Sequence, residues 1–269
     1  MNIIDIGSNS VRLFCGGKKT VITTRLAENM RGGLLAPESI NRTVDAISSL
    51  NEQGGGSCLA FATAAVRNAS NKGEFLDLVF ARTGIKVDVI SGEKEAEIGF
   101  LGATEGIGRA AVIDLGGASC EIIFGESGKI SYKQSFPFGC VSLTDRFGSD
   151  YEQITKFVSD TLCAVPYLRV NKYIAIGGTA TSLAAMNLGL CEYDSIKVHG
   201  STLTLPQISS LIDGVIAQKD YPTLSPMRRK TIGQGATALI ATIKALGQSE
   251  VEVSEKDNLE GYLLSLNKY

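Results

Sequence analysis

Apolar and polar positions alternate in short runs from the first residues, and the runs predict strands near 1–6, 11–15 and 19–26. Proline in Ala36-Pro37-Glu38 suits a first helical turn, and Ile40, Val44, Ile47 and Leu50 follow at helical spacing. A buried strand over Cys58–Ala62 runs into Thr63-Ala64-Ala65-Val66-Arg67-Asn68, followed by a helix near 71–83. A strand over Lys86–Ile90 and a helix from Gly92 to about Gly102 close this half. The pattern restarts at Ala111 with a hairpin and a third strand near Lys129–Gln134, then helices near 140–148 and 151–168. Tyr173–Ile176 reads as a strand ending in Gly177-Gly178-Thr179-Ala180-Thr181. Helices near 206–218 and 226–245, a strand Val251–Val253 and a last helix from Asp257 finish the chain. Strands and helices in alternation predict an α/β fold with mixed sheets.

The pattern also repeats. Ile4-Asp5-Ile6-Gly7-Ser8-Asn9-Ser10 returns as Ile113-Asp114-Leu115-Gly116-Gly117-Ala118-Ser119, and the offset of 109 holds through Gly16 and Gly125. In each copy an apolar run ends in Asp, a small polar turn follows, and a second apolar run resumes: a hairpin with its chemistry at the tip. Turns rich in Gly and Ser let backbone N–H groups converge on an anion, and a strand-end Asp can hold the metal that accompanies phosphate. The pair predicts phosphoryl chemistry in a cleft between two lobes. The boundary is placed near Gly106-Ile107-Gly108, giving lobes 1–108 and 109–269. The last helix, about 257–269, is a candidate to pack back on the first lobe. The chain has neither the Gly-x-x-x-x-Gly-Lys-Ser/Thr loop nor a Gly-x-Gly-x-x-Gly turn, which excludes the commoner phosphate loops.

Composition narrows the chemistry. At 269 residues with 44% hydrophobic and 20% charged residues, the chain reads as globular. Six cysteines are scattered without a Cys-x-x-Cys pair, which argues against zinc and for a reducing, cytoplasmic setting. No segment has the apolar length of a membrane span. One histidine, His199, argues against Ser-His-Asp triads, multi-histidine metal sites and phosphohistidine mechanisms that need a second histidine, so acid and base work falls to carboxylates. His199 itself reads as structural. A formal charge of −2 gives no bulk attraction for a polyanion or a nucleic acid, so a phosphate-rich ligand needs a local basic patch. Met227-Arg228-Arg229-Lys230 is the densest, though such runs are commonly solvated helix faces.

Two Asp-Gly hairpins, each opening a lobe, resemble the acetate kinase, sugar kinase, Hsp70 and actin superfamily. Within it the wording is similar to the exopolyphosphatase and guanosine pentaphosphatase (Ppx/GppA) family: IDIGSNSVRL, RLAENM, FATAAVRNA, ISGEKEAEIGFLGA, AVIDLGGASCEIIF, FPFGCVSLTDRF, AIGGTATSLAA, KVHG and EVSEKDNLEGYLL, in order. The resemblance implies two actin-like (ribonuclease H-like) lobes around a cleft, in a short form of the family. It implies Mg²⁺ or Mn²⁺ as cofactor and release of terminal phosphate from inorganic polyphosphate. Guanosine pentaphosphate (pppGpp) is the alternative substrate, and a non-catalytic phosphate or nucleotide sensor is a rival of another class. A homodimer is compatible with this reading.

By resemblance Glu95 is the catalytic base, against the plainer reading that Glu93, Glu95 and Glu97 complement a helix N-terminus. Arg67 resembles the family arginine that grips the end phosphate. Gly7, Ser8, Asn9, Ser10 and Arg12 in one copy, and Gly116, Gly117, Ala118 and Ser119 in the other, are the expected phosphate cradle. Gly177, Gly178 and Thr179 correspond to the nucleotide-binding turn of the kinases, or form a strand-to-helix turn with Thr179 as cap. Asp114 and Glu121, seven positions apart across a hairpin, are expected to project together and hold the metal, with Asp5 opposite. Asx-turns or caps are the alternative for each Asp. Arg12 and Glu121 occupy equivalent positions with opposite charge, which suits an asymmetric cleft or a cross-strand ion pair. Three departures stand out: Ala118 replaces a usual glycine, Cys120 a usual threonine, and Lys230 a usual acid.

Overall fold

The computed structural model describes residues 2–30, 32–105, 107–127, 129–166 and 170–266. The chain divides into two compact units, Met1–Glu95 and Ala96–Tyr269. The division falls earlier than the expected 108/109. Its cause is the second half of one helix: Ala96, Phe100 and Ala103 are packed with Ala110, Val112, Ile123, Ile174 and Ile176 of the second sheet.

The first unit contains β1 (Ile3–Ile6), β2 (Ser10–Cys15), β3 (Lys18–Thr23), α1 (Pro37–Gln53), β4 (Leu59–Ala62), α2 (Ala64–Arg67), α3 (Lys72–Thr83) and β5 (Val87–Val89). Helix α4 (Gly92–Ala103) carries the boundary. Pro37 begins α1 as expected, since the missing N–H costs nothing in a first turn. The sheet order is β3-β2-β1-β4-β5. β1 and β2, and β2 and β3, are antiparallel, whereas β4 runs parallel to β1 and β5 parallel to β4.

The second unit contains β6 (Arg109–Leu115), β7 (Cys120–Glu126), β8 (Lys129–Phe136), α5 (Cys140–Phe147), α6 (Tyr151–Leu162), β9 (Lys172–Ile176), α7 (Gly177–Asn187), α8 (Ser195–Val198), β10 (Thr202–Thr204), α9 (Leu205–Ile216), α10 (Pro226–Arg229), α11 (Ile232–Ala245), β11 (Glu250–Val253) and α12 (Asn258–Leu266). Its sheet order, β10-β11-β9-β6-β7-β8, repeats the first over five strands, an antiparallel meander with β9 and β11 parallel on the other side of the opening strand, and adds β10 antiparallel to β11. The duplication read from one hairpin therefore covers the sheet core of each unit.

Period-two alternation sorts β6 and β7 between two faces. Ala111, Ile113, Leu115, Cys120, Ile122 and Phe124 join the main core with α6, α7, α9 and α11 residues. Ala110, Val112 and Ile123 face α4. Asp114 and Glu121 fall, by the same alternation, on the α4 side at the strand ends.

Several elements differ from the sequence reading. The helix expected over 226–245 is two, broken at Lys230-Thr231, where Thr231 has φ −127 and starts α11. β10 and α8 were not foreseen; each is too short for a periodic signal. The helix expected to reach 168 ends at Leu162, and 167–168 lie outside the described residues, as do 267–269 of the last helix.

Candidate active site

Both hairpin turns close in the same way. The Gly7 N–H donates to Ser10 O, and the Gly116 N–H to Ser119 O, each at 3.0 Å. A Cβ at Gly7 would come within 3.0 Å of the Ser10 oxygen, and one at Gly116 within 3.3 Å of the Ser119 oxygen. Glycine thus recurs at the place where carbonyl and Cα approach most closely. Ala118 does not take a left-handed backbone, so its methyl is compatible with the turn.

The turn carbonyls are engaged from outside. Asn9 O accepts from the N–H groups of Thr24 and Arg25 at 3.0 and 2.8 Å, and Ser8 O from Ala27 at 2.9 Å. Gly116 O accepts from Cys140, and Gly117 O from Val141 and Ser142, at 2.8–3.1 Å. In the first copy the bracing segment is itself tied down. Arg25 is buried with φ +49 and donates to Glu28, whose other oxygen accepts from Arg42 at 3.2 Å; Arg42 Nε also reaches Thr24 O. RLAENM, noticed only as a family-like phrase, is the strap of the first turn.

Asp5 and Arg12 are register partners on β1 and β2, and the Arg12 Nε donates to Asp5 at 3.0 Å. Both stand one strand-end from the turn. Asp114 and Glu121 are the equivalent partners on β6 and β7, so the tip spacing does bring these two carboxylates side by side. Glu121 is buried and accepts from the Ser135 hydroxyl at 2.6 Å. Asp114 is buried and its Oδ2 accepts from the Asn258 amide at 3.3 Å. Ser135 and Asn258 carried no signal in the sequence reading.

Glu95 lies at the end of the first unit, buried to 5% exposure. Its Oε2 accepts from Arg67 Nη1 at 2.8 Å, and the same guanidinium nitrogen reaches Ile90 O at 3.0 Å. Burial raises the Glu95 carboxyl above its ordinary value; the Arg67 bond and charge and the Thr63 hydroxyl pull it down, and Asp5 pushes it up. Asp5, Arg12, Thr63, Arg67 and Glu95 therefore share one electrostatic neighbourhood in the first unit.

In the second unit Gly177, Gly178 and Thr179 are the first turn of α7, with Ile176 at the N-cap position and no side-chain cap, so Thr179 is not the cap. Gly177 has φ +85, and a Cβ there would lie 3.0 Å from Asp114 Oδ1. Side chains are strained in that region and would crowd the carboxylate. The Arg228 guanidinium lies over Gly178. The Tyr193 hydroxyl bonds Glu255, and burial with the Glu255 charge raises its pKa. His199 Nδ1 accepts the Glu255 N–H at 3.3 Å. Arg229 is turned to Lys219 O at 3.0 Å, while Lys230 is exposed. Cys120 is fully buried in the main core, its thiol held well above the usual range by burial and then by Glu121 and Asp114.

Among the described residues no cluster of three or more His, Cys, Asp or Glu is placed to hold a metal. Asp114 and Glu121 nonetheless suit Mg²⁺, which takes hard oxygens, uses one or two carboxylates and fills its shell with water and phosphate. A buried, unpartnered oxygen nearby, Asn258 Oδ1, fits the same donor set.

Duplicated sheets with Asp-turn hairpins, a Glu–Arg pair with its carboxylate buried, and a carboxylate pair define an α/β protein of two units built on one sheet plan. The chain belongs to the Ppx/GppA phosphatase family, whose model matches residues 7–269. It is 29% identical to exopolyphosphatase 2 of Mycobacterium tuberculosis, covering 98% of this chain and 97% of that protein. It is 27% identical to the guanosine-5'-triphosphate,3'-diphosphate pyrophosphatase of Vibrio cholerae, over 90% of this chain. The chain spans about half the length of several curated relatives it matches, 54% in the Vibrio case and 46% in another. The solved Ppx/GppA enzyme of Aquifex aeolicus superposes with a TM-score of 0.76 at 30% identity, covering 98% of both chains. No helix among the described residues is long and apolar enough to cross a membrane.

Proposed function

We propose that this protein hydrolyses phosphoanhydrides, releasing terminal phosphate from inorganic polyphosphate. The observation that carries the reading is the buried Glu95 held by Arg67. A carboxylate raised by burial is a better proton acceptor than one in water, and the arginine fixes its direction. Glu95 would take the proton of the attacking water, and Arg67 would hold the reacting phosphoryl oxygens. The Gly7 and Gly116 N–H groups close their own turns, and the later N–H groups of Gly7–Ser10 and Gly116–Ser119 would be the ones offered to phosphate. Asp114 and Glu121 would hold Mg²⁺ or Mn²⁺, which when bound neutralises phosphate charge. Asp5, named from the sequence as a third ligand, bonds Arg12, and its proposed part is to hold that guanidinium.

A second reading, pppGpp as substrate, is favoured by Tyr193 and Glu255 beside Arg228. A half-exposed aromatic ring and a carboxylate acceptor suit a guanine base. Phosphate release from long-chain polyphosphate, from pppGpp and from neither, with Mg²⁺ present, tests both. Release from polyphosphate is expected to be faster; release from pppGpp alone would select the second reading. Binding of either without release would leave a sensor.

A further inference from the structure

Asn258 stands on an element 144 residues from Asp114 in sequence, yet its amide reaches that carboxylate. Three features hold it there. The first is a reciprocal cap on α12: the Leu259 N–H donates to Asp257 Oδ1, and the Asp257 N–H donates to Glu260 Oε2, each at 3.0 Å. A helix start closed in this way fixes the residue between its two caps. The second is the close crossing of α4 and α12. A Cβ at Gly102 would overlap the Asp257 carbonyl oxygen, and one at Gly261 would overlap that of Ile98, so glycines let the backbones meet. The third is Gly99, where a Cβ would lie 2.7 Å from Asn258 Oδ1. The side chain occupies the space that this glycine leaves.

The Asn258 Nδ2 is spent on Asp114 Oδ2, whereas its Oδ1 is buried without a hydrogen-bond partner. A buried acceptor left unmatched costs free energy unless something in the working protein meets it. On the other side Asp114 Oδ1 faces Gly177. The carboxylate is thus set between an amide that bonds it and a glycine that leaves it room.

We propose that Asn258 is a positioning residue for Asp114: it orients the carboxylate for a divalent cation and presents its own oxygen to the water shell of that cation. The inference rests on the reading of Asp114 as a metal ligand. Partners of metal-ligating carboxylates commonly govern affinity by about ten- to a hundredfold.

The test is Mn²⁺ binding to the full chain, followed by electron paramagnetic resonance of the free ion, with no substrate present. Asn258→Leu keeps the volume and removes the amide. Gly99→Ala leaves Asn258 intact but crowds its oxygen. Both are expected to weaken Mn²⁺ by about tenfold while thermal unfolding of Asn258→Leu stays near that of wild type. Asp114→Asn is the control. If Asp114→Asn binds Mn²⁺ like wild type, the metal reading itself falls. If Asp114→Asn is weak and folded Asn258→Leu and Gly99→Ala bind like wild type, only the role of Asn258 falls. Should Asn258→Leu not fold, Asn258→Ser, shorter and still polar, takes its place in the same comparison.

Discussion

Glu95 is the residue on which the proposed chemistry turns. Replacing it with Ala removes the base, and phosphate release is expected to fall by about two to four orders of magnitude while polyphosphate binding persists. Comparable loss of binding would make it a ligand contact instead. Its titration gives a second test. The base works deprotonated, so activity is lost as pH falls through its folded-state value, which burial places above the ordinary 4.5. Arg67 pulls that value down. Arg67→Gln is therefore expected to move the acidic limb of the kcat profile to higher pH, and a limb that stays put or moves down would detach Arg67 from Glu95. Cys120 gives a cleaner expectation. With its thiol buried and held protonated, a thiol reagent should modify exposed Cys163 and Cys191 well before Cys120 in the folded protein. Peptide mapping after brief labelling decides it.

At the scale of elements, the two turns share a design but not a brace. The first is strapped by 24–28 through Arg25, Glu28 and Arg42; the second rests on the start of α5. Glu28→Ala removes the carboxylate between two arginines, one of them buried, and leaves like charges facing each other. Hydrogen exchange at 7–10 and 24–28 is expected to accelerate, with exchange at 116–119 unchanged. Equal acceleration in both turns would point to global destabilisation rather than a strap. The hairpins themselves were legible because alternation and turn composition are local, and the Asp114–Glu121 pairing followed from equal distance to the turn. Asn258, Ser135 and the strap were not, because tertiary packing brings them there across long stretches of chain. The break at Lys230-Thr231 was missed for a related reason: apolar spacing continues across it, and only the backbone at Thr231 departs from helix. The compact division at 95/96 falls before the expected 108/109 because apolar residues of α4 that look local pack on β6, β7 and β9.

For the whole molecule, charge sets how a polyanion is met. The formal net charge of −2 supplies no attractive field at a distance, so encounter with the polyphosphate proposed as substrate would gain little from steering. What attraction there is must come from a few cations near the turns, within about 10 Å at ordinary ionic strength. Of the basic run, Arg229 is turned to Lys219 O, whereas Arg228 lies over Gly178 at the start of α7. Within that run, Arg228 is the residue expected to contribute most to salt sensitivity. Raising salt from 50 to 300 mM at fixed Mg²⁺ is expected to lower kcat/KM on polyphosphate by only about threefold to tenfold. Arg228→Gln should flatten most of that dependence, chiefly through KM, whereas Arg229→Gln should leave it nearly as in wild type. A steep salt dependence that survives Arg228→Gln would mean that polyphosphate is held by a surface other than the start of α7.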